Sequence, residues 1–182
     1  MAEFALVLPL LMIFLLGVAD FGRIFTSGIT EEAAARDAAE AAAVQWVQLC
    51  QQYSSPCALA QADYDALHNL ALGVACREAE GMSGRVVDGS GNCTMPIIAV
   101  CVHDDGGLSG GGDRKCGVEA PAPGGPCYSM DATWNPARAG STERPYVEVR
   151  MCYRFDPLFT FAFAGWGSIW MQKANYFAVA NY

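Results

Sequence analysis

The first two dozen residues hold an apolar stretch that constrains the fold more than any other feature. Sixteen consecutive uncharged residues run from Phe4 to Ala19. Glu3 precedes them, and Asp20 and Arg23 follow. A helix of this length rises about 24 Å, close to but short of the ~30 Å hydrocarbon core of a bilayer. The stretch therefore predicts either a marginal membrane span or an apolar rod buried among copies of itself.

The residues around the stretch do not fit a secretory signal peptide. Such a peptide has positive residues before its apolar core, whereas this chain has no Lys or Arg before Arg23 and carries the acid Glu3 instead. A carboxylate that enters an apolar phase needs a cation or a proton. The nearest available cation for Glu3 is an α-amino group, either that of Met1 or that of a neighbouring chain.

The apolar run is interrupted at set places. It begins as Glu3-Phe4-Ala5-Leu6-Val7-Leu8-Pro9, continues as a Leu-rich run with Gly17, and ends in Asp20-Phe21-Gly22-Arg23. This pattern resembles the N-terminal signature of TadE-like pilins and pseudopilins, the tight-adherence (Tad) branch of type IV pili. The resemblance implies an α+β, type IV pilin-like fold. A long N-terminal helix would carry a small antiparallel-sheet head with a second helix, stapled by disulfides.

The resemblance also implies how the chain is processed and assembled. A short leader is removed by a prepilin peptidase just upstream of this helix, and the lack of a basic leader leads us to expect the processed form. Glu3 either marks the headgroup edge of a membrane helix or, as the resemblance favours, neutralises the amine of Met1 in an adjacent subunit as the rods bundle. Type IV pilins usually carry this acid at the fifth mature position, and here it stands at the third.

In such a filament the first helix would line the core. The positions assigned to this core are Phe4, Leu6, Leu8, Pro9, Leu11, Phe14, Leu15, Gly17, Phe21, Gly22 and Arg23. Pro9 removes a backbone donor, so we expect the helix to bend or open around residues 5–9. The glycines have two interpretations, tolerated packing or close approach of neighbouring rods.

Beyond Arg23 the helical pattern becomes one-sided. A helical wheel groups one set of residues on an apolar arc, namely Ala35, Ala38, Ala39, Ala42, Trp46 and Leu49. A polar set lies opposite, namely Glu32, Arg36, Asp37, Glu40 and Gln48. A continuous helix to about residue 50 is roughly 75 Å long. A filament subunit needs such a helix, and a soluble domain of this size does not.

Eight cysteines in 182 residues indicate an oxidising compartment. They are Cys50, Cys57, Cys76, Cys93, Cys101, Cys116, Cys127 and Cys152. No CxxC pair occurs and the chain has only two histidines, which argues against zinc. We expect up to four disulfides in an exported head, and their pairing stays open because eight cysteines allow 105 connectivities. Cys50 and Cys57 flank a turn closely enough to be bridged.

The head, residues 53–182, combines a helix with strands. Helical spacing predicts a helix from about Ala62 to Ala79, ended by Gly81, with His68 as a solvated or capping side chain. Strands are predicted at 85–87, 95–102, 146–154 and 170–180, the last two antiparallel. Residues 104–144 lack periodicity and predict a long loop, which Cys116 and Cys127 would tie.

Two segments of the head carry further expectations. Alternation in the strand at 146–154 predicts one set of side chains in the core, namely Val147, Val149, Met151 and Tyr153. The opposite set is Glu148, Arg150, Cys152 and Arg154, so Cys152 is expected to bridge to a covering loop. Residues 158–170 are almost wholly apolar, and we favour a subunit contact over core cover for them.

Charge and motifs exclude several function classes. A net charge of −8 and a pI of about 4.6 argue against a nucleic-acid partner. No nucleophile motif accompanies His68 or His103, so we expect no enzyme activity and no cofactor. The acidic glycine-rich run at 104–113 has two interpretations, a solvated loop or a calcium site, and the solvated loop is favoured.

These observations predict three segments: a hydrophobic helix over 1–25, its amphipathic continuation over 26–52, and the cysteine-rich head. The expected function is a structural pilin that polymerises into an extracellular filament. Its partners would be copies of itself, preceded by the inner membrane and the pilus assembly machinery. Two alternatives stay open: a minor pseudopilin that primes or caps a Tad pilus, and a membrane-anchored extracytoplasmic binding domain.

Overall fold

The computed structural model describes residues 2–52, 59–103, 115–117, 146–158 and 167–179. The helices are α1 (Ala2–Cys50) and α2 (Gln61–Glu78), and a short 3₁₀ turn over Ala79–Gly81 follows α2. The strands are β1 (Val86–Val87), β2 (Cys93–Met95), β3 (Ile97–His103), β4 (Lys115–Gly117), β5 (Tyr146–Phe155) and β6 (Ile169–Ala178). The predicted α+β, pilin-like architecture is confirmed.

Helix α1 is a single element of 49 residues, about 73 Å long. It continues through Pro9. The chain therefore does not open there, because the loss of one backbone donor leaves the hydrogen bonds on either side of the proline in place.

The second half of α1 packs one face on the head. The apolar residues that are at most 2% exposed on this face are Ala34, Ala35, Ala38, Ala39, Ala42, Ala43 and Trp46. Glu32, Arg36, Asp37 and Glu40 are exposed on the opposite face, as the helical wheel predicts. Small alanine side chains allow the helix axis to lie close to its neighbours, α2 and the sheet.

Helix α2 lies against α1 and begins one residue before the predicted start. The carboxylate of Asp63 accepts a hydrogen bond of 2.8 Å from the backbone N–H of Ala60, which caps the first turn. The ring of Tyr64 meets the ring of Trp46 edge to face at 5.9 Å. The prediction for His68 was wrong: the side chain is buried, because it lies one turn after Tyr64 on the face that packs.

The four-stranded sheet has the order β4-β3-β5-β6, and every pairing is antiparallel. Strand β5 is central, with Val149 opposite Val100 on β3 and Asn175 on β6. Its inner face carries the predicted core residues Val147, Val149, Met151 and Tyr153, each at most 1% exposed. Helix α1 covers this face, since α1 contacts both β5 and β6.

The outer face of β5 is also covered at Cys152, for which a cover was expected, and at Glu148, for which none was. Cys152 is fully buried with Ala99 in a second small cluster, and Ile97 and Trp170 pack against it. Glu148 is likewise fully buried on this face. A central strand between two layers buries both sets of its side chains, so alternation identifies the polar face but not its exposure.

Strands β1 and β2 form a separate two-stranded sheet. Asp88 organises the turn between them, because its Oδ1 accepts hydrogen bonds from the backbone N–H groups of Ser90 at 2.8 Å and Asn92 at 2.9 Å. These bonds hold the pKa of the exposed Asp88 carboxyl below its usual value. Gly91 takes a φ of 88°, which a residue with a Cβ rarely adopts.

Candidate assembly surface and the helix–head joint

The apolar rod, residues 7–19 of α1, stands clear of the head in the single chain. Its large side chains are between 36% and 70% exposed: Val7, Leu8, Leu10, Leu11, Met12, Ile13, Phe14, Leu15, Leu16 and Val18. The helix is long and apolar enough to cross a membrane. Such a surface needs cover from lipid or from protein.

The predicted filament-core residues fall on this surface where the structure describes them. Leu8, Pro9, Leu11, Phe14, Leu15, Gly17, Phe21 and Gly22 are all exposed. A Cβ added at Gly17 or Gly22 would meet no atom within 4 Å. The side chains of Met1, Glu3, Phe4 and Leu6 lie outside the described part of the chain, so their assigned roles stay predictions.

Asp20 begins the joint between rod and head. Although it follows the apolar run on the helix, it is only 8% exposed. Its Oδ1 lies 3.0 Å from Nη1 of Arg23, one turn later, and accepts a 3.1 Å hydrogen bond from the backbone N–H of Leu158. The carboxylate therefore joins α1 to the chain that leaves β5.

Arg23 makes the second set of joint contacts. Its Nη2 donates a hydrogen bond of 3.0 Å to Oγ of Ser83, in the segment after α2. Its guanidinium carbon lies 5.1 Å from the centroid of the Phe155 ring, at the end of β5. One planar cation thus contacts a carboxylate, a hydroxyl and an aromatic face, which an ammonium group cannot match. Arg23, predicted to lie in a filament core, here contacts its own head.

The next turn of α1 extends the joint. Ser27 is buried and its hydroxyl is hydrogen-bonded to the phenol of Tyr153. The Tyr153 hydroxyl donates in turn to the backbone carbonyl of Ser83. Burial raises the pKa of Tyr153, while the hydrogen bond from Ser27 and the charge of Arg23 oppose that rise. The phenol thus remains a neutral donor at physiological pH.

The outward side of α1 remains apolar past the joint. Asp20 and Arg23 point to the head, and an outer stripe of Phe21, Phe25 and Ile29 lies at four-residue spacing, with exposures of 72%, 64% and 55%. Two neighbouring polar groups are satisfied by the helix itself. Thr26 Oγ1 donates to the Gly22 carbonyl at 2.9 Å and Thr30 Oγ1 donates to the Thr26 carbonyl at 3.0 Å.

On the C-terminal side of the outer stripe, polar contacts join α1 to β6. Nζ of Lys173 lies 3.3 Å from Oε2 of Glu32, and Nδ2 of Asn175 donates a 3.0 Å hydrogen bond to the Glu32 carbonyl. Glu31 beside them is fully buried. Burial raises the pKa of Glu31 from 4.5 to about 7, and the charge of Lys173 partly opposes this shift.

Four of the eight cysteines can be assigned a disulfide state. Cys76 and Cys93 are bonded to each other and join the end of α2 to β2. Cys50 and Cys152 each take part in a disulfide as well. Cys57 and Cys127 lie outside the described residues, and so do the side chains of Cys101 and Cys116. The loop at 104–113, with its calcium alternative, lies outside them too. Within the described ranges no group of His, Cys, Asp or Glu side chains is arranged to hold a metal ion.

Sequence reasoning missed three parts of this site. The contact of Ser83 with Arg23 and that of the Leu158 amide with Asp20 depend on the tertiary fold. No local sequence pattern predicts them. Glu31 carried a signal, since it stands four residues before Ala35 and so belongs to the apolar arc of the wheel. A charged residue on that arc predicts a buried carboxyl group.

Comparison with known protein families finds a match for the N-terminal segment. Residues 1–40 match the family model described as TadE-like protein. No curated protein and no solved structure matches the chain. The family match and the exposed apolar helix together fit a membrane-anchored, pilus-associated protein. The N-terminal segment of this chain is therefore similar to TadE-like proteins, as the motif over residues 3–23 predicts.

Proposed function

We propose that this chain is a structural subunit of an extracellular Tad-like pilus and that it polymerises through α1. Three segments serve this role: residues 1–25 as membrane anchor and later filament core, 26–52 as amphipathic continuation, and 53–182 as disulfide-tied head. No step of this role requires catalysis or a cofactor, so we expect the chain to have no enzyme activity.

The observation that carries the proposal is the position of Phe25 and Ile29. They lie on the same turns of α1 as Ser27, which contacts Tyr153 of the head. The head at this level carries exposed polar and charged groups such as Ser83 and the Glu32–Lys173 pair, which favour water over lipid. Another protein surface therefore suits Phe25 and Ile29 better than lipid does.

A second copy of the chain suits this surface. The outer stripe continues the apolar rod without an exposed charge on the described residues until Glu32, which is 60% exposed. Neighbouring α1 helices would cover both rod and stripe along a length of about 34 Å over residues 7–29. Gly22 and Gly28 have no atom within 4 Å of an added Cβ, which leaves room for close approach of helices.

The same surface explains a transfer from membrane to filament. Before assembly the rod lies in the inner membrane, where lipid covers residues 7–19. During assembly, which involves the pilus machinery, neighbouring rods replace lipid on that surface and newly cover the outer stripe. The gain at Phe25 and Ile29 occurs only in the filament, and at about 25 cal/mol per Å² of buried apolar surface it favours the assembled state.

Glu3 supplies the proposed register. In the sequence Glu3 stands just before the apolar run, and in the filament its carboxyl group would pair with the amine of Met1 in a neighbouring subunit. Replacing Glu3 with Ala should leave membrane insertion intact and abolish filaments. Normal piliation by this variant would exclude the pairing.

The central experiment compares two single substitutions on the same helix. Phe25→Ser removes an apolar side chain from the outer stripe, and Val44→Ser removes one that is 50% exposed but lies beyond the stripe, beside Glu40 and Gln48. We expect both variants to insert in the membrane. Filaments sheared from cells should contain Val44→Ser but not Phe25→Ser.

The composition of wild-type filaments separates the proposed subunit from the alternatives. Detergent-free filaments in which this chain is the dominant protein support the proposal. A trace amount in filaments built by a smaller pilin would indicate a minor pseudopilin that primes or caps the pilus. Surface anchoring that survives loss of the pilus motor and the prepilin peptidase would indicate an anchored binding domain.

A further inference from the structure

Glu31 occupies a position where a charged carboxylate is strongly disfavoured. It lies four residues after Ser27 and four before Ala35, both buried on the face of α1 that packs on the head. Its own side chain is 0% exposed. Neither carboxyl oxygen has a hydrogen-bond partner within the described residues. The protonated form avoids the desolvation of a charge, which the ionised form cannot.

A compensating positive charge comes from Lys173 on β6. Lys173 pairs with Met151 across the β5–β6 ladder, so it shares the sheet face that carries the Met151 side chain toward α1. Its ammonium group forms an ion pair with Glu32, at 3.3 Å from Oε2, and not with Glu31. Lys173 lowers the pKa of Glu31, but burial raises it more, to about 7.

The other elements packed on α1 carry few titratable groups on the faces described. On β5, Tyr153 reaches Ser27 one turn before Glu31, and the buried Glu148 accepts a 2.8 Å hydrogen bond from Arg150. On α2, His68 is buried. The pKa of Glu31 is therefore determined mainly by burial, which raises it, and by the charge of Lys173, which lowers it.

We propose that Glu31 makes the packing of α1 on the sheet proton-dependent. With its proton bound, Glu31 remains buried and the contact between α1 and the β5–β6 pair is closed. After loss of the proton to water, the carboxylate requires hydration, and the contact opens locally around residues 27–35. This property concerns a single chain and does not rest on the proposed polymerisation.

The consequence lies in how firmly the head is held on the rod. The joint at Asp20 and Arg23 anchors the lower end of the head, while the Glu31 contact holds the next turns of α1. Both ends are closed in mildly acidic conditions. In mildly alkaline conditions the contact around residues 27–35 loosens, while the joint at Asp20 and Arg23 and the packing of Ala38–Trp46 on the head stay closed.

Hydrogen exchange of the full chain in detergent micelles tests this inference. Protection factors, corrected for intrinsic exchange, are compared at about pH 5.5 and about pH 8.5, on either side of the Glu31 titration. We expect protection within residues 27–35 to fall about tenfold or more at the higher pH, since the pKa shift allows up to ~300-fold. Residues 61–78 serve as the internal reference.

Two variants make the result specific. Glu31→Gln cannot ionise, so its protection should be nearly equal at the two pH values. Glu32→Gln is the matched control, because it changes the adjacent exposed carboxylate and should keep the wild-type pH dependence. Equal wild-type protection at both pH values, or an unchanged pH dependence in Glu31→Gln, would overturn the inference.

A direct titration covers the case in which Glu31→Gln does not fold. The carboxyl carbon of Glu31 in the wild-type chain, followed by nuclear magnetic resonance, should titrate near neutral pH. A midpoint near the ordinary value of 4.5 would show that the contact does not hold a proton and would overturn the inference.

Discussion

The guanidinium carbon of Arg23 lies 5.1 Å from the centroid of the Phe155 ring, and this contact fixes where the rod ends and the head begins. The same cation neutralises Asp20 at 3.0 Å. A charge pair three residues apart on a helix would ordinarily interrupt an apolar surface. Because the head takes up both charges, the apolar surface continues along the outward side of α1 to Ile29. Joint and assembly surface are thus two sides of one helix segment.

Replacement of Arg23 tests the joint. Arg23→Ala removes the ion pair with Asp20, the hydrogen bond to Ser83 and the contact with Phe155, so we expect a loss of about 1–2 kcal/mol in the free energy of unfolding. Arg23→Lys should recover only part of it, because an ammonium lacks the planar fork. Denaturant unfolding in micelles measures both. Arg36→Ala, on the exposed face of the same helix, is the control, and an equal loss there would contradict the assignment.

Periodicity predicted most of the secondary structure because each element follows its own local pattern. The predicted helix at 62–79 is observed at Gln61–Glu78, and the strand predicted at 170–180 is observed at Ile169–Ala178. The strand predicted over 95–102 is split by Pro96 into β2 and β3. Proline cannot donate to a sheet ladder, so the split could have been expected.

The joint could not be predicted in the same way. Arg23 and Ser83 are 60 positions apart, and Asp20 and Leu158 are 138 apart. Nothing in the sequence near Asp20 indicates which distant groups will meet it. The contacts on the outer face of β5 could not be predicted for a similar reason, since Trp170 of the next strand packs against Cys152 and no property of β5 itself indicates that contact.

Removal of the Cys76–Cys93 disulfide tests how much this link between α2 and β2 stabilises the fold. The bridge spans 17 residues. The double variant Cys76→Ser with Cys93→Ser should lose about 3 kcal/mol of unfolding free energy if the bridge acts by restricting the unfolded chain. Thermal unfolding with and without a reducing agent measures the loss. The variant should also be less sensitive to the reducing agent than the wild type; equal sensitivity would mean that this bridge contributes little.

The titration of Glu31 predicts how global stability depends on pH. The carboxyl pKa is 4.5 in the unfolded chain and about 7 in the folded chain, so the unfolded state releases its proton first. Between these values a rise in pH favours unfolding, and above about 7 the loss is complete, at about 3 kcal/mol. The difference in unfolding free energy between wild type and Glu31→Gln isolates this contribution, and it should change only within that pH window.

Lys173 affects the pH range over which Glu31 changes the stability of the fold. Its charge lowers the pKa of Glu31, so Lys173→Gln should move the midpoint of the stability change to higher pH. Arg154→Gln is the matched control, since it removes the same charge from a half-exposed residue of β5 that pairs with Asp156. It should leave the midpoint where the wild type has it. A downward shift with Lys173→Gln, or equal shifts in both variants, would show that the effect comes from net charge rather than from the contact of β6 with α1.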